Sequence, residues 1–380
     1  MERQESPYLW RALGGGVLLG GAAGFALNFL LPYFLPEGSS ALWLLVFLPT
    51  FLAAAATHEF GHLAAARLEG LILVYWTAGP LLLRRKNGRL RLSWAEDLLF
   101  AGSITAMAPA ELKNVKEKLM TWVAGGPVAT FLLTAISAMA WIWTRDLGWT
   151  WASWCAFACT VAGVVVFCAT TLPWEASGFA SDGGRLVYLA RSHPAADRWC
   201  ALAALAGMAH LGPRPSEWDS RVLERAIQPQ DGSPDEVRGR LFNYYAALDS
   251  DDLALASIHL LRLSQTYSSL PAPLQAEYWL EQAYYSGFAC RDAGLAAAAL
   301  KNAGKAPLAS RVRVARAQAA ALLAAGEESE SMRVASEALQ RSGMTKLAGL
   351  AEAERSWLRR LADPASAVWQ PGIEYNHAVD

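Results

Sequence analysis

Apolar residues run almost unbroken through four stretches in the first half of the chain and recur at helical spacing through the second half. The four runs cover about 12–35, 41–66, 119–143 and 149–172, each at or above the roughly 20 residues a helix needs to cross a bilayer. The first carries Gly16, Gly20 and Gly24 at four-residue spacing, which predicts close approach of a neighbouring helix, and the polar Asn28, expected to hydrogen-bond across it. The second stays apolar until its last third. Between the third and fourth, Trp141, Trp143, Trp149 and Trp151 flank Arg145 and Asp146, the pattern of an aromatic belt at a tight turn on one membrane face.

The stretch from Arg67 to Lys118 reads differently. Leu81–Arg85 and Arg89–Ser93 flank Asn87-Gly88, a two-residue turn signal that predicts a β-hairpin. Ala110–Lys118 reads as an amphipathic helix leading into the third span. From about His193 the pattern is that of a soluble helical protein, punctuated by Pro213, Asp231-Gly232, Pro271, Gly287, Gly304 and Gly326. Leu241–Leu263, Tyr278–Leu300 and Ala317–Leu339 look alike, each with a first helix expected to end near Asp249, Gly287 or Gly326, a period of about 38 to 39 residues. Each predicts a helix, a turn and a second helix, which resembles a tetratricopeptide-type or related array of helical hairpins. The expected fold is therefore an all-α polytopic membrane unit over 1–192, with about four transmembrane helices and a small β-hairpin. A soluble α-helical repeat-like domain is expected over 193–380.

Composition supports this division. Hydrophobic residues make up 54% of the 380, including 16 Trp, and the mean hydropathy is +0.20. A net charge of −1 gives no basis for binding nucleic acid. Nine of the Lys and Arg lie between Arg67 and Lys118. The positive-inside rule then places that segment, both termini and everything after Leu172 in the cytoplasm, for a protein integral to a plasma or inner membrane. The N-terminal apolar run exceeds a signal-peptide core and is expected to be a retained anchor. The five Cys form no C-x-x-C pair, so neither a zinc ribbon nor a disulfide framework is indicated. Cys155 and Cys159 read as small buried hydrophobes.

The sharpest chemical signal lies near the end of the second run: His58-Glu59-Phe60-Gly61-His62. Residues four apart share a helix face, so both imidazoles can reach one ion, the pattern of a zinc site. Glu59 beside them is placed to take a proton from a zinc-activated water and pass it to a leaving amine. Two His and a Glu inside an apolar span are costly there unless they act. Catalytic zinc needs a third protein ligand and an open fourth position. Asp182, in Ser181-Asp182-Gly183-Gly184 after the fourth span, is the leading candidate, because that span returns to the face of His58 and His62. A turn or helix N-cap is the ordinary meaning of such an Asp, and Glu175 is the rival ligand. His193, His210, His259 and His377 read as surface or packing residues. Ala124-Gly125-Gly126-Pro127, near the start of the third run, would let that helix pack tightly against the zinc helix.

Together these elements resemble the site-2 protease family of intramembrane zinc metalloproteases, over Ala41 to Leu189. That family has HExxH in one core helix, a Gly-Pro motif opening the next and an Asp-Gly motif near the end of a third. The resemblance implies His58, His62 and Asp182 as zinc ligands and Glu59 as catalytic base. It also implies that the hairpin near Asn87-Gly88 borders the site and offers an edge strand to unwound substrate. The chain departs from the family in having Thr170, and Ala129-Thr130 after the Gly-Pro motif, where Asn is common. The expected activity is hydrolysis of peptide bonds in or near transmembrane segments of membrane-protein substrates. A regulatory protein or peptide is expected on the C-terminal helices. Two alternatives keep the membrane setting: a prenyl-protein-type zinc endopeptidase, whose third ligand would be a Glu, and an inactive scaffold with helical repeats.

Overall fold

The computed structural model describes residues 40–78, 81–86, 89–94, 103–109, 112–176, 179–191, 193–270, 272–304, 306, 309–341 and 349–363. The run at 12–35, the Asn87-Gly88 turn itself and His377 lie outside the described residues.

The chain is mostly helical and forms two compact units. One carries the chain up to Glu69 together with Glu117–Arg191; the other carries Gly70–Lys116 and the chain from Ser192 onward. Helix α1 (Ser40–Leu68) contains the HEFGH motif. The sheet strands β1 (Leu71–Ala78), β2 (Leu81–Lys86), β3 (Arg89–Trp94) and β4 (Ser103–Pro109) follow. Next come α2 (Val115–Asp146), α3 (Thr150–Thr171), the short strands β5 (Glu175–Ala176) and β6 (Phe179–Ala180), and α4 (Asp182–Ala190).

Among the described residues two helices, α2 and α3, are long and apolar enough to cross a membrane, corresponding to the expected spans at 119–143 and 149–172; the expected four are not shown. Only 28% of the most apolar stretch of each is buried within the chain, which sets them apart from core helices of a soluble protein. On α2, Val128, Phe131, Leu132, Ile136, Met139 and Ile142 are all exposed, an apolar surface at helical spacing that water would not favour. Of the expected amphipathic helix over Ala110–Lys118, residues 110–111 lie outside the described residues, 112–114 are not helical, and α2 starts at Val115 after Asn114, whose φ is 54°. Cys155, expected to be buried, is exposed on α3, and Cys159 is half-buried. On a helix that is apolar all round, the apolar run does not say which side faces protein.

Small residues hold the first unit together. A Cβ on Gly61 of α1 would strike the Gly125 carbonyl and the Ala129 methyl of α2, so the two backbones touch at facing glycines. Ala54 of α1 packs with Ala162 and Val166 of α3, with Phe47, Phe51 and Leu133 around them. Gly163 of α3 accommodates the Thr134 side chain of α2. Close backbone packing of this kind is the usual adhesive between helices wherever lipid surrounds them.

In the second unit, the single expected hairpin is part of a larger antiparallel sheet of order β3-β2-β1-β4. Lys86 pairs with Arg89 at the end of the β2–β3 ladder, the pairing that a two-residue turn requires. The β1–β4 pairing shifts register between Leu73 and Tyr75, a bulge. Strand β4 meets α5 (Pro194–Leu211), where a Cβ on Gly207 would strike the Pro109 carbonyl.

After α6 (Ser220–Ala226), three helix pairs follow: α7 (Pro234–Asp249) with α8 (Leu253–Thr266), α9 (Ala272–Phe288) with α10 (Ala293–Ala303), and α11 (Arg311–Ala324) with α12 (Glu328–Arg341). Their first helices begin at Pro234, Ala272 and Arg311, in steps of 38 and 39 residues. The inner turns repeat one device, a residue of positive φ two positions before the second helix: Asp251, Arg291 and Gly326. Asp252 and Asp292 then cap α8 and α10 by accepting from Leu255 N and Leu295 N. Helix α13 (Leu350–Ala362) brings Trp357 into the core beside Tyr244, Tyr245 and Tyr284. Within that core Arg316, fully buried, meets Glu281 at 2.5 Å and lies over the rings of Tyr284 (4.4 Å) and Trp357 (4.8 Å). Burial raises the Glu281 carboxyl above its ordinary value, even against the opposing charges of Arg316 and Arg313.

Candidate metal centre

His58 and His62 lie one turn apart on α1 and turn their Nε2 atoms toward each other, 3.1 Å apart. Asp182 Oδ2 comes within 2.9 Å of His58 Nε2 and 3.3 Å of His62 Nε2. Among the described residues these three are the one group of His, Cys, Asp or Glu side chains able to hold a metal ion together. Both imidazoles are buried, and the Asp182 side chain is 20% exposed.

What aims Asp182 is the turn before it. Ser181, not Asp182, caps α4: its Oγ accepts from Gly184 N (3.1 Å) and Trp174 N (3.2 Å) and donates to Leu172 O (2.7 Å). Between Pro173 and Asp182, β5 and β6 pair antiparallel, with Glu175 opposite Ala180. Asp182 is thus the first residue of α4, its carboxylate released from capping and favoured by the helix N-terminus. Gly183 is required because a Cβ there would collide with the Thr171 carbonyl at the end of α3. Burial alone would raise the Asp182 carboxyl; its hydrogen bonds to His58 and His62 outweigh that and hold it down to about 2.

Helix α2 supplies no ligand but touches both imidazoles. His62 Nδ1 lies 2.9 Å from the Trp122 carbonyl; a carbonyl only accepts, so Nδ1 carries the proton and Nε2 presents a lone pair. The Gly126 amide approaches the same ring nitrogen at 3.3 Å, which a protonated Nδ1 cannot accept, so the shorter contact defines the pairing. His58 Nδ1 lies 2.9 Å from Thr130 Oγ1, whose hydroxyl donates to Gly126 O at 3.0 Å. Gly126 itself leaves room for the rings, since a Cβ there would run into both imidazoles. Sequence reasoning noted Thr130 only as a departure from a family pattern. Its place four residues after Gly126, on the helix face that meets HEFGH, was the available signal.

With the protons on both Nδ1 atoms, the two Nε2 lone pairs and Asp182 Oδ2 converge as three ligand atoms for a cation; without one, a protonated Nε2 donates to Asp182 instead. Tetrahedral zinc with bonds of about 2.0–2.1 Å has neighbouring ligand atoms about 3.3–3.4 Å apart. The observed separations of 2.9, 3.1 and 3.3 Å come within a few tenths of those edges, so the residues fit such an ion. Glu59, half-buried, follows His58 directly and is outside the ligand group. Glu175 is elsewhere: Tyr188 Oη donates to its Oε2 at 2.8 Å. Thr170 donates to the Val166 and Phe167 carbonyls of its own helix. His193 accepts from Ala195 N at the start of α5 and His210 bonds its own helix, while His259 is buried in the second unit.

Fold and site define a mostly helical protein with two candidate membrane helices and a His-His-Asp group that could bind a metal ion. Compared with protein-family models, curated proteins and solved structures, the chain gives no match.

Proposed function

We propose that this chain is an integral-membrane zinc metalloprotease that cleaves peptide bonds in or near transmembrane segments, as its resemblance to the site-2 protease family implies. The observation that carries the reading is the convergence of His58, His62 and Asp182, within a few tenths of an ångström of tetrahedral spacing, next to Glu59 in a unit built from apolar helices. His58, His62 and Asp182 would hold zinc, leaving one coordination position for water. Bound there, zinc supplies the Lewis acidity that makes water nucleophilic near neutral pH. Glu59 takes the proton from the attacking water and returns it to the amine that leaves. The buried setting of the imidazoles limits competing water around the scissile bond. The helix pairs of the second unit offer a place for a regulatory peptide, in the apolar groove lined by Ala297, Leu300, Ala321, Leu322 and Val334.

The test is Glu59→Gln in the full chain, reconstituted with a labelled single-span polypeptide whose span carries helix-breaking residues. Zinc bound one-to-one by both forms, with cleavage by the parent alone, is the expected result. Undiminished cleavage by the variant, or none by the zinc-loaded parent, would refute the proposal.

A further inference from the structure

We infer that Thr130 is a positioning residue for the metal: it fixes the His58 imidazole in the tautomer and orientation that ligation requires. The inference rests on the metal-centre reading above, and its observations come from α2, which contributes no ligand. A ring nitrogen can bind a metal only through its lone pair, so ligation by His58 Nε2 demands that the proton sit on Nδ1. The group facing Nδ1 is Thr130 Oγ1, at 2.9 Å. Thr130 is fully buried, and no water is needed to complete its bonding: its one proton goes to Gly126 O at 3.0 Å, which leaves Oγ1 lone pairs for His58 Nδ1–H. The hydroxyl therefore acts as a relay between a backbone carbonyl and the imidazole.

The pairing is unequal across the site. His62 is held by the Trp122 carbonyl, which no substitution of that side chain removes, whereas His58 is held by a side chain alone. Control of ligand geometry through α2 thus has one replaceable part. Partners of this kind typically change metal affinity by about 10–100-fold when removed.

Thr130→Val keeps the shape and loses the hydroxyl; Thr130→Ser keeps the hydroxyl and loses a methyl. Zinc affinity of the purified full chain is measured by competition with a chromophoric chelator, and the visible spectrum of the Co2+-loaded forms reports ligand geometry. Expected are a roughly 10–100-fold weaker zinc affinity with an altered Co2+ spectrum for Thr130→Val, and near-parent values for Thr130→Ser. A melting temperature for each variant without metal separates loss of packing from loss of positioning. Parent-like affinity and spectrum in Thr130→Val, or equal losses in both variants, would overturn the inference. Failure of the parent chain to bind zinc at all would instead overturn the metal reading on which it rests.

Discussion

Adding one methyl group at Gly61 should disable the site without touching a ligand. A Cβ at that position falls within 3.0 Å of Gly125 O, Gly125 C and the Ala129 Cβ. Two of these atoms are backbone and cannot rotate aside. Restoring ordinary carbon contacts of about 3.5–4.0 Å requires α1 and α2 to part by roughly 1 Å. Both hydrogen bonds that orient the imidazoles cross that same interface, each at 2.9 Å. Lengthened by roughly 1 Å they are no longer hydrogen bonds. Overpacking of about 1–3 kcal/mol and the loss of two bonds worth about 0.5–1.5 kcal/mol each put the destabilisation of Gly61→Ala at about 2–6 kcal/mol. Zinc affinity should fall at least about tenfold. Both follow from equilibrium unfolding of the detergent-solubilised chain and from chelator competition. Phe60→Ala is the internal control: Phe60 sits in the same motif but is 67% exposed, and its truncation should leave zinc affinity unchanged. If Gly61→Ala matches Phe60→Ala in both measurements, the helix contact does not govern the site.

Asp182→Ala should lose stoichiometric zinc, while Glu175→Ala should retain it because Glu175 is engaged by Tyr188; the reverse outcome in metal analysis would favour the prenyl-protein-type alternative. In the metal-free chain the Asp182 carboxyl ionises at about 2 instead of 3.8. Its stabilisation is therefore complete above about pH 4 and is lost as pH falls toward 2, on the order of 2 kcal/mol. The stability gap between the chelator-treated parent and Asp182→Asn should close over that interval, and a gap independent of pH would contradict the pairing. Arg316→Ala leaves the fully buried Glu281 to the more distant Arg313, at 3.5 Å, and to Tyr245 Oη, at 3.2 Å, and should destabilise the second unit by about 3 kcal/mol, the low end for breaking a buried pair, read by denaturant unfolding. A loss below about 1 kcal/mol would mean that Glu281 is protonated in the parent.

Much of the helical layout was legible because it rests on local signals. The apolar run at 119–143 lies within α2, the run at 149–172 covers α3, and the first helices of the three pairs begin 38 and 39 residues apart, at Pro234, Ala272 and Arg311. The sheet was only partly legible. The Asn87-Gly88 signal marks β2 and β3, whose pairing is local, but β1 pairs with β4 across the hairpin, from Leu71 opposite Pro109 to Ala78 opposite Ser103. Long-range pairing leaves no mark at either strand alone, and an apolar run such as Leu71–Trp76 reads equally as strand or helix.

At the candidate site, sequence spacing could bring the two imidazoles together, because a helix fixes residues four apart. It could not establish what Asp182 does, since an Asp ahead of two glycines is ordinarily a cap. The cap falls to Ser181, one residue earlier, and only that displacement frees the carboxylate. The glycines were harder still. Gly125 and Gly126 read only as small residues permitting close packing, yet Gly61, Gly125, Gly126 and Gly183 are each small for a different neighbour: a facing helix backbone, its reciprocal partner, a pair of imidazoles and a carbonyl at a helix end. Space at a glycine is defined by the atoms that fill it, and those belong to other segments of the chain. For the same reason Thr130 stands out in the sequence only as a departure from the family's Asn, and an interior hydroxyl of an apolar helix ordinarily bonds back to its own backbone. It makes that bond to Gly126 O, and it is the lone pairs left over that meet His58.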